Sequence, residues 1–193
     1  MGYLLGLKEY LGVNYETTIF DQAAESGHPW EFHLHGYQRV QASVLENLTY
    51  DVKLDIKGEE KKEIPKIHIK FLYPLDTAEA ARPLLKIDNR IKDLALEPIV
   101  SPKDRYFIKN KSLFPLMKEK QVVFFYSLEG DVIRGIIMDF SRYDITVALK
   151  GGTLITILRH SIYDLRDKKG RCFLKSNQEK TRDWRKSDLY VKD

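Results

Sequence analysis

A mostly β protein with short helices, in which one small unit of bent strands occurs twice, is the fold class that three observations predict. The stretch YDVKLDIKG at 50–58 returns as YDITVALKG at 143–151, displaced by 93 residues with Tyr, Asp, Lys and Gly retained. Apolar residues alternate in both copies, Val52, Leu54 and Ile56 against Ile145, Val147 and Leu149, which is the period of a half-buried strand. Ala42 and Gly135 stand at the same place in the preceding long strand, where a minimal side chain permits the sharp bend that small barrels require.

Upstream, the correspondence runs at 94 residues and pairs Phe20 with Phe114, Trp30 with Phe124, Phe32 with Tyr126 and Gly36 with Gly130. Repeat one therefore carries one extra residue just after its glycine, at a turn, where insertions are tolerated. Each copy opens with a short helix, ETTIFDQAAES or SLFPLMKEK. Gly27 ends the first, and Ser112 is the expected N-cap of the second, with Pro115 early enough to be accepted. A strand, a glycine turn, a long strand and further strands follow, with Gly151-Gly152 turning one hairpin. In repeat one KGEEKKEIPK is expected to replace that hairpin with a longer charged loop. The domain plan is 1–74, a connector at 75–111 with a helical stretch around Ala78 to Leu96, 112–174, and a polar basic tail at 175–193. Trp184, Leu189 and Tyr190 are candidate anchors in that tail, otherwise expected to be mobile.

LFPLMKEKQVVFFYSLEGDVIRGIIMDFSRY and ILRHSIYDL resemble the helix, glycine-turned strands and Lys-His-Ala-Ile turn of Sm-like proteins of the Hfq type. IFDQAAESGHPWEFHLHG resembles the same unit more faintly. The resemblance implies two SH3-type five-stranded barrels, each preceded by a helix. It also implies ring assembly, strand four of one copy pairing with strand five of the next, so that a trimer of tandem chains would complete a pseudo-hexamer. A pair sealed within one chain is the alternative.

The same resemblance supplies the site residues. A proximal-type RNA site, suited to uridine-rich sequence, falls on Arg142, Tyr143, Arg159 and His160 in repeat two and on Tyr50 and Lys66 in repeat one. Stacking on an aromatic ring contributes about 1–3 kcal/mol per base, and cations offset phosphate repulsion. A distal-type, adenine-rich site falls on Tyr126, Ile133 and Arg134, and a rim on Lys118, Lys120 and Phe140. Arg142 and Arg134 stand where the family carries glutamine, which favours phosphate contact over base reading. Against these stand structural readings: tyrosines as packing, His160 as a hydrogen bond in ring closure, and the lysines as a solvated helix face.

Charge and composition narrow the rest. Residues 165–193 hold ten Lys/Arg against five Asp/Glu, leaving 22 against 23 in the first 164, so the body is neutral and the tail basic. That pattern suits weak attraction to a polyanion or plain solubility. One cysteine, Cys172, excludes an intrachain disulfide and makes a cytoplasmic setting the expectation. The N-terminus lacks a basic n-region and a cleavage site, and no apolar run spans a bilayer. His33 and His35 alternate onto one face without a third ligand, and Asp139 and Asp144 lack an acid/base partner, so no metal, cofactor or catalysis is expected. The sequence therefore points to a non-catalytic Sm-like RNA-binding protein of the RNA-chaperone or post-transcriptional-regulator kind, or to an adaptor of the same fold that holds protein partners.

Overall fold

A computed structural model describes residues 2–192. Its elements run β1 (Tyr3–Leu4), α1 (Leu7–Asn14), α2 (Ile19–Ser26), β2 (Pro29–Leu34), β3 (Arg39–Asn47), β4 (Asp51–Ile56), β5 (Lys62–Pro65) and β6 (Ile69–Pro74). A connector holds α3 (Ala78–Ala81), β7 (Lys86–Ile87) and α4 (Asn89–Lys92). Then come α5 (Asn110–Lys118), β8 (Val122–Ser127), β9 (Asp131–Phe140), β10 (Asp144–Ala148), β11 (Leu154–Leu158), β12 (Ile162–Asp167), α6 (Lys175–Thr181) and β13 (Tyr190–Val191). Strands dominate and the helices are short, and no described helix is long and apolar enough to cross a membrane.

Local chemistry explains most of these bounds. Thr18 accepts the Phe20 N–H at the start of α2, a cap worth about 1 kcal/mol, and Gly27 ends the helix at φ 65°. The second helix begins two residues earlier than the expected Ser112 cap, because the Lys109 carbonyl already accepts from Ser112 and Leu113. Ser112 is buried within it, and Pro115 sits in the helix interior. Gly135 is required by close approach: a Cβ there would stand 2.3 Å from the Ala148 carbonyl oxygen. The expected loop in repeat one proves to be a true hairpin, since Gly58 at φ 83° and a bond from the Glu59 N–H to the Ile56 carbonyl turn β4 into β5.

One antiparallel sheet crosses both repeats in the order β12-β8-β9-β10-β11-β6-β2-β3-β4-β5, with β7 added to β9. Within each repeat the order is fifth, first, second, third, fourth strand. Neither five-stranded group closes on itself: the two expected five-stranded units are present as parts of one continuous antiparallel sheet. The joint is β11 against β6, where Thr156 faces Leu72 and Ile157 faces Phe71. Two core clusters lie on the repeats and exchange residues at that joint: Phe71 and Tyr73 of β6 enter the repeat-two core, and Leu158 of β11 enters the repeat-one core. Alternating side chains on two paired strands must face both ways, which is why β6 is buried on both faces.

The connector is not the single helix expected over 78–96. Pro83 follows α3, removing a donor, and the chain passes through a 3-10 turn (Arg82–Leu84) into β7 before Asp88 caps α4 by accepting the Arg90 N–H. The ends of the chain also depart from expectation. β1 pairs with β13, and Leu4 and Leu7 join the repeat-two core, so the segment from β1 through α1 clasps repeat two rather than repeat one. The tail is docked: Gln178 is fully buried, and Trp184, Leu189 and Tyr190 pack against that same core.

Candidate functional site

The stretch Arg159–Ser161 forms a 3-10 turn between β11 and β12, so ILRHSIYDL is two strands joined at its cations. Those cations are half-buried. Arg159 donates Nη2 to Asn110 Oδ1 at 2.9 Å and lies 5.6 Å over the Phe140 ring. Desolvation pulls its pKa down to about 10. His160 Nε2 lies 2.9 Å from the Ile69 carbonyl, and burial lowers its pKa to about 4, so the ring is neutral at pH 7 and donates that proton. Ser161 Oγ reaches the Lys70 carbonyl at 2.9 Å. The turn thus bonds repeat two to the start of β6 in repeat one.

The remaining predicted residues divide by exposure. Arg142 and Tyr143 are exposed, the guanidinium 5.7 Å from the tyrosine ring and 3.8 Å from Glu16 Oε1. Tyr50 is 80% exposed, whereas Lys66 turns inward, donating to the Leu48 carbonyl and lying 5.5 Å over Phe20. Burial lowers the Lys66 pKa. On the other face Arg134 is exposed over Phe124 and Tyr126 is half-buried, but Ile133 is 1% exposed. Lys118 and Lys120 are exposed, while Phe140 lies inside, against Tyr10. Ile133 and Phe140 are therefore corrected from ligand-facing to core residues, while Arg159, His160 and Lys66 are half-buried and bonded to other groups of the chain.

Charged residues that the sequence reading passed over tie the repeats together. Lys70, 1% exposed, donates to Glu129 Oε2 at 2.6 Å and Asp131 Oδ2 at 2.7 Å, joining β6 to the glycine turn of repeat two. That turn meets its counterpart: the Gly36 N–H donates to Glu129 Oε1 at 2.7 Å, and Tyr37 donates to the Glu129 carbonyl at 3.0 Å. A lysine inside the apolar run IKFLY was the available signal, since a buried ammonium needs carboxylates near it. Asp144 also has a structural partner, accepting the Ile19 N–H at 2.9 Å where α2 begins, and burial raises its pKa. His33 stacks on Phe71 and contacts the Tyr73 hydroxyl at 2.8 Å. Among the described residues no group of three His, Cys, Asp or Glu is arranged to hold a metal.

Both outer edges of the sheet are blunted. On β12 the chain folds back on itself: the Phe173 N–H donates to the Leu165 carbonyl at 2.9 Å and the Asp167 N–H to the Arg171 carbonyl at 3.1 Å. On β5 the Lys66 N–H bonds the Tyr50 carbonyl, so the preceding Pro65, which has no N–H, faces the free edge.

An open groove of about 930 Å³ lies at one end of repeat one, with Leu34, Val40, Ile56 and Ile64 as apolar lining and Arg39 and Lys57 among its charged residues. Glu31 borders it, fully buried, accepting from Tyr73, Gln41 and Arg82, whose hydrogen bonds hold its pKa down to about 2. The corresponding end of repeat two is closed. There Leu128, Ile133 and Leu149 are buried, and Leu84 and Leu85 of the connector pack on that core.

No protein-family model matches the chain, and no curated protein matches it significantly.

Proposed function

We propose that the chain is a non-catalytic, Sm-like protein-interaction adaptor in which two repeats pair once, through β11 and β6, and go no further. One observation carries this reading: His160, which an RNA-binding pore would need, is half-buried and bonded to the Ile69 carbonyl at the joint between the repeats, while Arg159 is half-buried and tied to Asn110 of its own repeat. The blunted edges at β5 and β12 support a self-contained pair over the trimeric, pseudo-hexameric ring. A cytoplasmic setting suits a chain whose single cysteine is free.

RNA binding, as a chaperone or post-transcriptional regulator, is the second reading. Arg142 and Tyr143 favour it, because they stay exposed and adjacent. Light scattering, with titrations of uridine-rich and adenine-rich oligonucleotides at two salt concentrations, separates the two. The adaptor reading expects a monomer whose RNA affinity stays at the non-specific level, roughly 10–100 μM near physiological salt. Submicromolar, salt-sensitive binding that disappears in Arg142→Ala/Tyr143→Ala would overturn it.

A further inference from the structure

The two repeats differ beside the start of their long second strands, β3 and β9, and the chain itself shows what fits there. In repeat two, β7 pairs antiparallel with the start of β9, Lys86 opposite Val132 and Ile87 opposite Asp131. Leu84 and Leu85, just before β7, pack on the repeat-two core, and the Asp88 N–H donates to the Gly130 carbonyl at 2.8 Å. Among the described residues no such strand is added to repeat one. The Leu34 N–H bonds the Gln38 carbonyl, so Arg39 and Gln41 turn their own N–H and C=O groups to the opposite side. On that side β4 begins pairing only at Ala42 with Ile56. The Ala42–Ile56 pair is made through the backbone of the flanking Gln41 and Ser43, so Arg39 lies beyond the end of that ladder and turns its N–H and C=O to the wall of the groove, with Val40, Ile56 and Ile64 only partly buried beside it.

We infer that this groove takes a short extended segment of a partner protein, added antiparallel to β3 as β7 is added to β9. Main-chain bonds to Arg39 supply affinity, and an apolar pair fills the groove as Leu84 and Leu85 cover repeat two. Its charge preference is the reverse of β7's. Arg39 occupies the place of Val132, opposite which β7 carries Lys86, and neither Arg39 nor Lys57 forms an ion pair among the described residues. A cross-strand position opposite Arg39 favours a carboxylate. The recognised segment therefore reads apolar, apolar, acidic, apolar, and its identification rests on the adaptor reading.

The test is fluorescence anisotropy on the full chain with a labelled ten-residue synthetic peptide containing Leu-Leu-Glu-Ile. Saturable binding is expected, weakened roughly tenfold by Arg39→Glu and recovered in that variant by a Leu-Leu-Lys-Ile peptide. Amide exchange at Arg39 slows in the complex. Proline in place of the peptide's glutamate, which removes the pairing N–H, abolishes binding. The inference is overturned if no saturation occurs by about 1 mM with the folded chain, or if Arg39→Glu leaves affinity unchanged. Either result, with both RNAs silent, removes the groove assignment and leaves the adaptor reading standing. Submicromolar RNA binding lost in Arg142→Ala/Tyr143→Ala overturns the adaptor reading itself, whatever the peptide does.

Discussion

His160 gives its Nε2 proton to the carbonyl of Ile69, 2.9 Å away and 91 residues earlier, so one half-buried imidazole fastens the second repeat to the first. Removing it leaves a buried carbonyl without its donor and opens space at the joint. His160→Ala should therefore destabilise the chain by about 1–3 kcal/mol. The urea midpoint at neutral pH measures this. An unchanged midpoint would mean that β11 and β6 hold without the turn.

Acid should loosen the same joint. The pKa values of His160 and His33 both fall from 6.5 to about 4 on burial. Between those values the unfolded chain takes up protons that the folded chain refuses, so stability present above pH 6.5 is lost as pH falls towards 4. Glu31, lowered from 4.5 to about 2, adds a loss in the same direction at lower pH, while Asp144, raised by burial, opposes it. Urea midpoints at about pH 7, 6 and 5 should decline in the native chain and decline less in His33→Gln/His160→Gln. Parallel slopes in the two proteins would contradict the assignment.

The repeat made much of this architecture legible. YDVKLDIKG and YDITVALKG locate β4 and β10, and the paired glycines Gly36 and Gly130 locate the turns between the first and second strands. ILRHSIYDL was legible as a turn, but the partial burial of its cations was not. The partner groups, Asn110 and Ile69, lie 49 and 91 residues away, and Ile69 becomes a neighbour only when β11 meets β6. For the same reason, Lys70 could be seen as an anomaly in its apolar run without revealing that Glu129 and Asp131 would surround it. Local pattern carries strand period and turn chemistry; it does not carry which strands of different repeats become partners.

Lys70 should be the most costly single charge to remove. Lys70→Met leaves Glu129 and Asp131 facing each other without their buried cation, a loss of about 3–5 kcal/mol. The exposed pair Lys62 and Glu59 provides the contrast, where Lys62→Ala should change stability by less than about 0.5 kcal/mol. Equilibrium unfolding of both variants at low and high salt measures the difference, which should persist at high salt for Lys70 alone.

Gly135 tests the close approach of β9 and β10. Gly135→Ala places a methyl group 2.3 Å from the Ala148 oxygen, and the strands must separate at a loss of at least about 1–3 kcal/mol. Ala42→Gly, at the equivalent buried place in repeat one, removes a methyl group without a clash and should cost about 0.5–1 kcal/mol. Thermal unfolding of the pair should therefore rank Gly135→Ala below Ala42→Gly.

Pro65 tests whether edge chemistry limits the assembly. In repeat two the same position is Leu158, whose strand pairs onward with β6; in repeat one the ring of Pro65 removes the N–H that such pairing would use. Pro65→Val restores that donor on a strand already flanked by an apolar groove. Since β12 is covered by its own return segment, the exposed β5 edges of two chains have each other as the available partner, which makes an antiparallel, two-fold dimer the expected product. Light scattering over rising concentration should show mass doubling in Pro65→Val while the native chain stays monomeric. Growth beyond a dimer would instead mean that the 171–173 segment yields and β12 joins β5 in the head-to-tail mode of a ring. Either outcome in the variant, with a monomeric native chain, identifies Pro65 as the residue that stops the sheet after ten strands in series.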